Sequence, residues 1–326
     1  MLGSHVLPDG KIRFLYHDYS ADQVGVAGNF SDWRQVALEP RGDGWWGADL
    51  GPLPAGNVYY KFVTARGWVN DQFNYRRTSD GENSFLNVGG QCGHLLRRGF
   101  HSDSLHKGKN YIIYLPPAYA HNPWRSFPVL YLMGGLFEGE TGWVDQASVE
   151  NVLDNLTLEG RIDDMIVVMP DKDDAIFHEE SWSAYTGFLV RDLPAHIESE
   201  YRTLPVRGAE GLSMGGGWAV RMGLMFPEQY CSVSSLSGHF AEDYYRSAKG
   251  NAERVKTAGV RFRLACGDGE GEEVIESNAE FGRFLEGLGL YCEIHVNPGI
   301  HRWPLWVSQI AHSLCFHDYG FKSRVG

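Results

Sequence analysis

The 326-residue sequence has no apolar run long enough to span a bilayer, and its opening, MLGSHVLPDGKIRF, lacks the apolar core of a secretory leader. The expectation is a cytoplasmic protein, or a secreted or periplasmic one whose leader has been cleaved. Positive charge is in deficit. Lys and Arg number 29 against 41 Asp and Glu, a formal charge of −12 that argues against nucleic acid or an anionic membrane as the main partner. Cysteine is sparse and unpatterned: Cys92, Cys231, Cys266, Cys292 and Cys315 include no C-x-x-C, so reduced thiols are expected. Only Cys266 and Cys292 are placed to fall on neighbouring strands. No cofactor and no metal site is expected, and oligomeric state is not legible.

From Lys11 to about Val88 the sequence also lacks a helical period. KIRFLYH, QVGVAGNF, GWWGADL, VYYKFVTA and NSFLNV are aromatic or β-branched runs bounded by Gly, Pro, Asn and Asp, the pattern of a small β-sandwich. The rhythm changes near Gly90, which divides the chain into residues 1–90 and 91–326. Beyond it, short apolar runs (KNYIIYLP, FPVLYLMG, DMIVVMPD, VRGAEG, YCSVSSLSG, RFRLACG, YCEIHVNPG) alternate with helical stretches. Three of these are Ser183–Tyr201, interrupted by Pro194, then Gly216–Met225 and Val274–Leu288. Alternation of this kind means a mainly parallel sheet covered on both faces, with ligands at the carboxyl ends of its strands.

That rule directs attention to RGAEGLSMGGGWAVRM. In a chain with 40 glycines a G-x-S-x-G match is weak by itself, but Ser213 stands between an expected strand and an expected helix. Gly211 and Gly215 permit a tight turn, and the helix start offers the Met214 amide to developing negative charge. The competing reading is an ordinary N-cap serine. A serine needs a base, and His301 lies just past the strand YCEIHV. Its orienting carboxylate belongs in the preceding strand-end loop, where GDGEGEE supplies Asp268, Glu270, Glu272 and Glu273. A second oxyanion donor is expected at Leu136, after Gly134 and Gly135. Trp182, Phe177, His178, His239 and Trp143 are candidate substrate contacts.

With these pieces in family order (YIIYLPPAY, PVLYLMGG, IVVMPD, FLVRDLPAHIESEYR, GLSMGG, SLSG, PGIHRWPLW), the chain from about Leu95 resembles the esterase family. That family includes feruloyl and acetylxylan esterases (carbohydrate esterase family one), enterochelin esterases and mycolyltransferases. The resemblance implies an α/β-hydrolase fold with Ser213 as nucleophile and His301 as general base. The family acid position falls on Glu270, with Glu272 and Asp268 as alternatives, and Gly134 stands where the family usually has histidine. The first domain resembles glycogen-binding, isoamylase-N-terminal-type carbohydrate-binding modules through VGVAGNFSDW, DGWW, LPAGNVYYKF, GWVNDQFN and GENSFLNV. That likeness implies Trp33, Lys61, Trp68 and Asn83 as glycan contacts, or a module that binds nothing and only packs. The expected function is a serine carboxylester hydrolase acting on feruloyl or acetyl esters of plant polysaccharide. A siderophore esterase, an acyltransferase and a glycan-binding protein with a vestigial hydrolase domain are the alternatives.

Overall fold

A computed structural model describes residues 4–7, 9–74, 76–78, 81–89, 92–172 and 181–325. The chain divides into two compact units, residues 1–98 with 112–125 and residues 99–111 with 126–326. The expected boundary at Gly90 lies outside the described residues.

Strands of the first unit are β1 (His5–Val6), β2 (Ile12–His17), β3 (Gly25–Gly28), β4 (Val36–Ala37), β5 (Glu39–Gly42), β6 (Trp45–Leu50), β7 (Gly56–Thr64), β8 (Gly67–Val69) and β9 (Ser84–Val88). They form two antiparallel sheets, β1-β2-β6-β5 and β4-β3-β7-β8, with β9 pairing the first half of β7 on the edge whose second half pairs β8. Along β7 the period is two: Val58, Tyr60 and Phe62 are buried, while Tyr59, Lys61 and Val63 are partly exposed. Those three join Ile12, Phe14 and Tyr16 of β2 in one core, so the sheets close face to face as a sandwich. Tyr60 carries its hydroxyl into that core and donates to Asp71 Oδ2 at 2.8 Å, so the buried polar atom is satisfied.

The larger sheet has eight strands: β10 (His94–Ser102), β11 (Lys107–Leu115), β12 (Phe127–Met133), β13 (Ile166–Pro170), β14 (Thr203–Leu212), β15 (Ser232–Leu236), β16 (Arg261–Gly267) and β17 (Tyr291–Asn297). Their order is β10-β11-β13-β12-β14-β15-β16-β17, and the pairs from β13 to β17 are parallel. Every residue of β13 and β15 is buried, as strands covered on both faces must be. The helices are α1 (Pro117–His121), α2 (Gly142–Ala147), α3 (Val149–Leu158), α4 (Trp182–Gly187), α5 (Leu193–Glu200), α6 (Met214–Met225), α7 (Glu242–Ala258), α8 (Glu272–Gly287) and α9 (Trp303–Val325). In the second unit α6 packs on β14 and β15, α8 on β16 and β17, and α7 against both helices, while α9 packs on β14–β16 and against α2 and α3.

Ser183–Tyr201, expected as one interrupted helix, is α4 and α5 joined by a π-helical turn over Phe188–Asp192. Pro194 lies just after that turn. Its missing N–H and ring volume are accommodated by the wider turn, so the helix stays continuous. All five cysteines are free. Cys266 and Cys292 do lie on adjacent strands, but they face Val296 and Phe262 in the register rather than each other. Burial pushes their thiols up to about 11 and about 12, which keeps them protonated and unreactive.

Candidate active site

Strand β14 ends at Leu212 and α6 begins at Met214, so Ser213 alone makes the turn. Its φ of 52° and ψ of −121° are disfavoured for a residue with a side chain. The surroundings enforce them. The Ser213 amide donates to Leu236 O at 2.7 Å, and Gly217 N returns to Ser213 O at 3.2 Å. Close approach demands glycine on either side: a Cβ on Gly211 would meet Gly215 C at 2.4 Å, and one on Gly215 would meet Gly134 O at 2.4 Å. The result is a strained elbow that lifts a hydroxyl above the carboxyl edge of the sheet.

The hydroxyl meets an imidazole there. Ser213 Oγ is 2.9 Å from His301 Nε2, and His301 Nδ1 is 2.6 Å from Glu270 Oε1. The Glu270 side chain is fully buried. Burial alone would raise its carboxyl, but hydrogen bonds from His301, the Gly267 amide (2.8 Å to Oε2) and Ser237 outweigh it and hold Glu270 below the usual carboxylate range. Ser237 is itself fixed by the Trp306 indole N–H at 3.0 Å, and Trp306 stands edge-on to His301 with ring centroids 5.1 Å apart. Each member of the chain is therefore oriented by a neighbour.

Of the two alternatives to Glu270, Asp268 is exposed and accepts the Gly299 amide at 3.0 Å, which pins the loop leading to His301. Glu272 is exposed at the first turn of α8. The imidazole partner is Glu270.

The Met214 amide opens α6 and has no preceding helical carbonyl to bond. The segment Gly134–Leu136 passes directly over the serine: a Cβ on Gly135 would meet Leu212 Cδ1 at 2.6 Å and Ser213 Cβ at 3.5 Å. Glu138, two residues on, accepts the Trp303 indole N–H at 2.9 Å and ties this loop to the start of α9.

A cleft of about 420 Å³ opens at the serine, and Trp182 and His239 line it as expected. Phe177 and His178 lie outside the described residues. Trp143 does not line the cleft, which corrects the expectation. It is 1% exposed, donates its indole N–H to Met133 O at 3.1 Å and packs edge-on against Trp303. Trp143 sits in the first turn of α2 and turns its ring inward, where the indole supplies a donor to that carbonyl. Sequence reasoning missed Trp218, Arg221, Asp243 and Tyr244, which also line the cleft. The Arg221 guanidinium lies over the Trp182, Trp218 and Tyr244 rings at 4.8–5.4 Å and pairs with Asp243. The only sequence signal was the spacing of Trp218 and Arg221 on one helix, three residues apart.

In the first unit Trp33 and Trp68 are 39% and 50% exposed with ring centroids 6.2 Å apart, an aromatic surface of the kind that stacks on sugar rings. Lys61 pairs with Glu82 at 3.2 Å, and the Asn83 backbone is held by Thr78. Among the described residues no group of three or more His, Cys, Asp or Glu converges on a metal-sized site.

A parallel sheet with helices on both faces, a serine on a strained strand–helix turn and a histidine–carboxylate pair from later loops define a serine esterase of the α/β-hydrolase fold. The chain belongs to the esterase family, described as "Putative esterase", whose profile matches residues 102–317. It is 28% identical to an endo-1,4-beta-xylanase/feruloyl esterase of Xylanibacter ruminicola, over 94% of this chain and 45% of that protein. The chain thus spans less than half the length of this relative. Among solved structures, a ferulic acid esterase superposes with a TM-score of 0.65 at 25% identity, over 71% of this chain and 99% of that one. The enterobactin esterase of Shigella flexneri shares the fold at 16% identity and a TM-score of 0.57, over 94% of this chain and 92% of that one.

Proposed function

We propose that the protein hydrolyses feruloyl or acetyl esters of plant polysaccharide through an acyl-enzyme on Ser213. His301 Nε2 takes the hydroxyl proton as Oγ attacks the ester carbonyl. Glu270 holds the imidazole in the tautomer that leaves Nε2 free to accept, and stabilises the imidazolium that forms. The amides of Met214 and Leu136 receive the oxyanion. Collapse expels the sugar alkoxide, which takes the proton from His301. Water, deprotonated by the same imidazole, then attacks the acyl carbonyl and releases the free acid. The observation that carries this reading is the unbroken Ser213–His301–Glu270 chain opening into a cleft walled by Trp182, Trp218 and Tyr244. Flat ring walls suit an aromatic acyl group, and both feruloyl-esterase relatives agree with that.

The fold shared with an enterobactin esterase makes a catecholate siderophore triester the second reading. A ferric siderophore is anionic and calls for an excess of cationic lining. Among the described residues the cleft offers Arg221, already paired with Asp243, and this favours the polysaccharide ester. A panel of methyl ferulate, acetylated xylan and ferric enterobactin, run with wild type and Ser213→Ala, separates the two. Turnover of enterobactin alone would reverse the choice, and activity retained by Ser213→Ala would remove the nucleophile. The exposed Trp33–Trp68 pair supports a further role for the first unit in holding the glycan that carries the ester.

A further inference from the structure

A second cavity, of about 520 Å³, lies in the larger unit between β16, β17 and α9 and shares no residue with the Ser213 cleft. Its wall is unusual for the donors it leaves unused. Arg263 is 2% exposed; its Nη2 donates to Gln309 Oε1 at 2.9 Å, but the buried Nη1 has no partner. Arg261 Nε and Asn297 Nδ2, on the same wall, are likewise buried without a partner. Three unpaired N–H donors, two of them from guanidinium groups, lie just beneath the wall of this cavity and incur a desolvation cost that an acceptor would relieve once a small side-chain movement let it reach them.

Two carboxylates lie nearby, and Glu210 keeps both oxygens without a hydrogen-bond partner. Glu293 accepts the Tyr291 hydroxyl at 2.7 Å and lies 3.3 Å from His295 Nε2 and 3.6 Å from Arg261 Nη2. Glu210, on β14, is fully buried and faces His317 at 3.2 Å, and His317 in turn meets Ser232 at 2.7 Å. Neither carboxylate is within ion-pair distance of Arg263; burial pushes its guanidinium below the ordinary arginine range, and the two carboxylates only partly offset this. His312 and Cys315 complete the titratable lining. Arg261 is held rigid by Tyr291 and Tyr319, whose ring centroids lie 3.6 and 4.6 Å from its guanidinium carbon.

We propose that this cavity is a binding site for a small organic oxyanion, a carboxylate or a phosphate ester, held by Arg263, Arg261 and Asn297. A guanidinium fork matches either planar or tetrahedral oxygens, and the volume suits a ligand of sugar size. The inference is independent of the esterase reading, since it uses none of its residues.

Calorimetric titration with glucuronate, glucose 6-phosphate and neutral glucose tests it. At least one anion should bind with a Kd below about 10 mM, while glucose should not. Arg263→Met should weaken that binding at least about tenfold, and Ser213→Ala should leave it unchanged. Arg261→Met is the second variant, expected to weaken binding in the same direction if Arg263→Met fails to fold. Which anion binds identifies the source of the oxygens. Absence of binding by both anions, equal binding by glucose, equal binding by the folded variants, or loss in Ser213→Ala would overturn the site.

Discussion

Glu270→Gln tests the proposed mechanism at its least exposed point. The carboxylate has two ends with different duties: Oε2 accepts the Gly267 amide at 2.8 Å, while Oε1 faces His301 Nδ1 at 2.6 Å. A glutamine has only one oxygen. The Gly267 N–H is fixed in the backbone and requires an acceptor, so the amide oxygen goes there and the NH₂ group turns toward His301. The imidazole must then accept at Nδ1 and carry its proton on Nε2, the atom 2.9 Å from Ser213 Oγ. That nitrogen can no longer take the serine proton. Replacing the acid of a serine–histidine–carboxylate chain by its amide costs about 10⁴ in kcat, equivalent to about 5 kcal/mol of barrier. The substrate cleft is untouched, so KM for methyl ferulate or p-nitrophenyl acetate should change little. Circular dichroism and a thermal melt verify the fold. Glu272→Gln should cost less than about threefold because its carboxylate is in solvent. Asp268→Asn keeps an acceptor for Gly299 and should cost about tenfold or less. A loss below tenfold in Glu270→Gln would show that the tautomer argument is wrong and that the base does not depend on this carboxylate.

Gly215→Ala places a methyl 2.4 Å from Gly134 O and should destabilise the fold by about 1–3 kcal/mol in urea unfolding while slowing ester hydrolysis; unchanged values would mean the elbow can relax. Trp303→Phe deletes the indole donor to Glu138 and should lower kcat about tenfold with KM preserved, because the loop bearing the Leu136 amide loses its tie. Trp33→Ala together with Trp68→Ala should reduce retention on insoluble xylan or glycogen without altering turnover of a soluble ester, and unchanged retention would argue against a glycan surface. His94 is buried, and burial lowers its imidazole from 6.5 to about 3. The unfolded chain binds that proton below about pH 6.5 while the folded chain refuses it, so stability falls with acid, by about 2 kcal/mol between pH 6.5 and 5. His94→Leu should flatten this limb in chemical denaturation, and an unchanged slope would place the acid sensitivity elsewhere.

The sheet was legible in the sequence because parallel strands buried on both faces appear as unbroken apolar runs, and FPVLYLM and IVVMP are of that kind. Helix α7 was not, since only Ala248 and Val255 of its 17 residues are buried and the apolar period is too thin to register. Arg221 was hidden for a related reason: a charged residue on a helix reads as a solvated face until three aromatic rings from α4, α6 and α7 are found around it.

The choice among acids shows where sequence reasoning loses resolution. The strand-end rule places Ser213 after β14, the acidic loop after β16 and His301 after β17 because all three strands run in the same direction and end on one edge. That rule resolves loops, not residues within them. Glu270 is selected over its neighbours by a turn that folds its carboxylate back onto the amide of Gly267, three residues earlier, while Glu272 is carried away by the first turn of α8. The discriminating contact is local along the chain, but its geometry depends on Ser237 and Trp306 arriving from 33 and 36 residues away on either side to close the cage around that carboxylate. A loop full of carboxylates becomes a single orienting acid only when distant donors have chosen which one can afford to be buried.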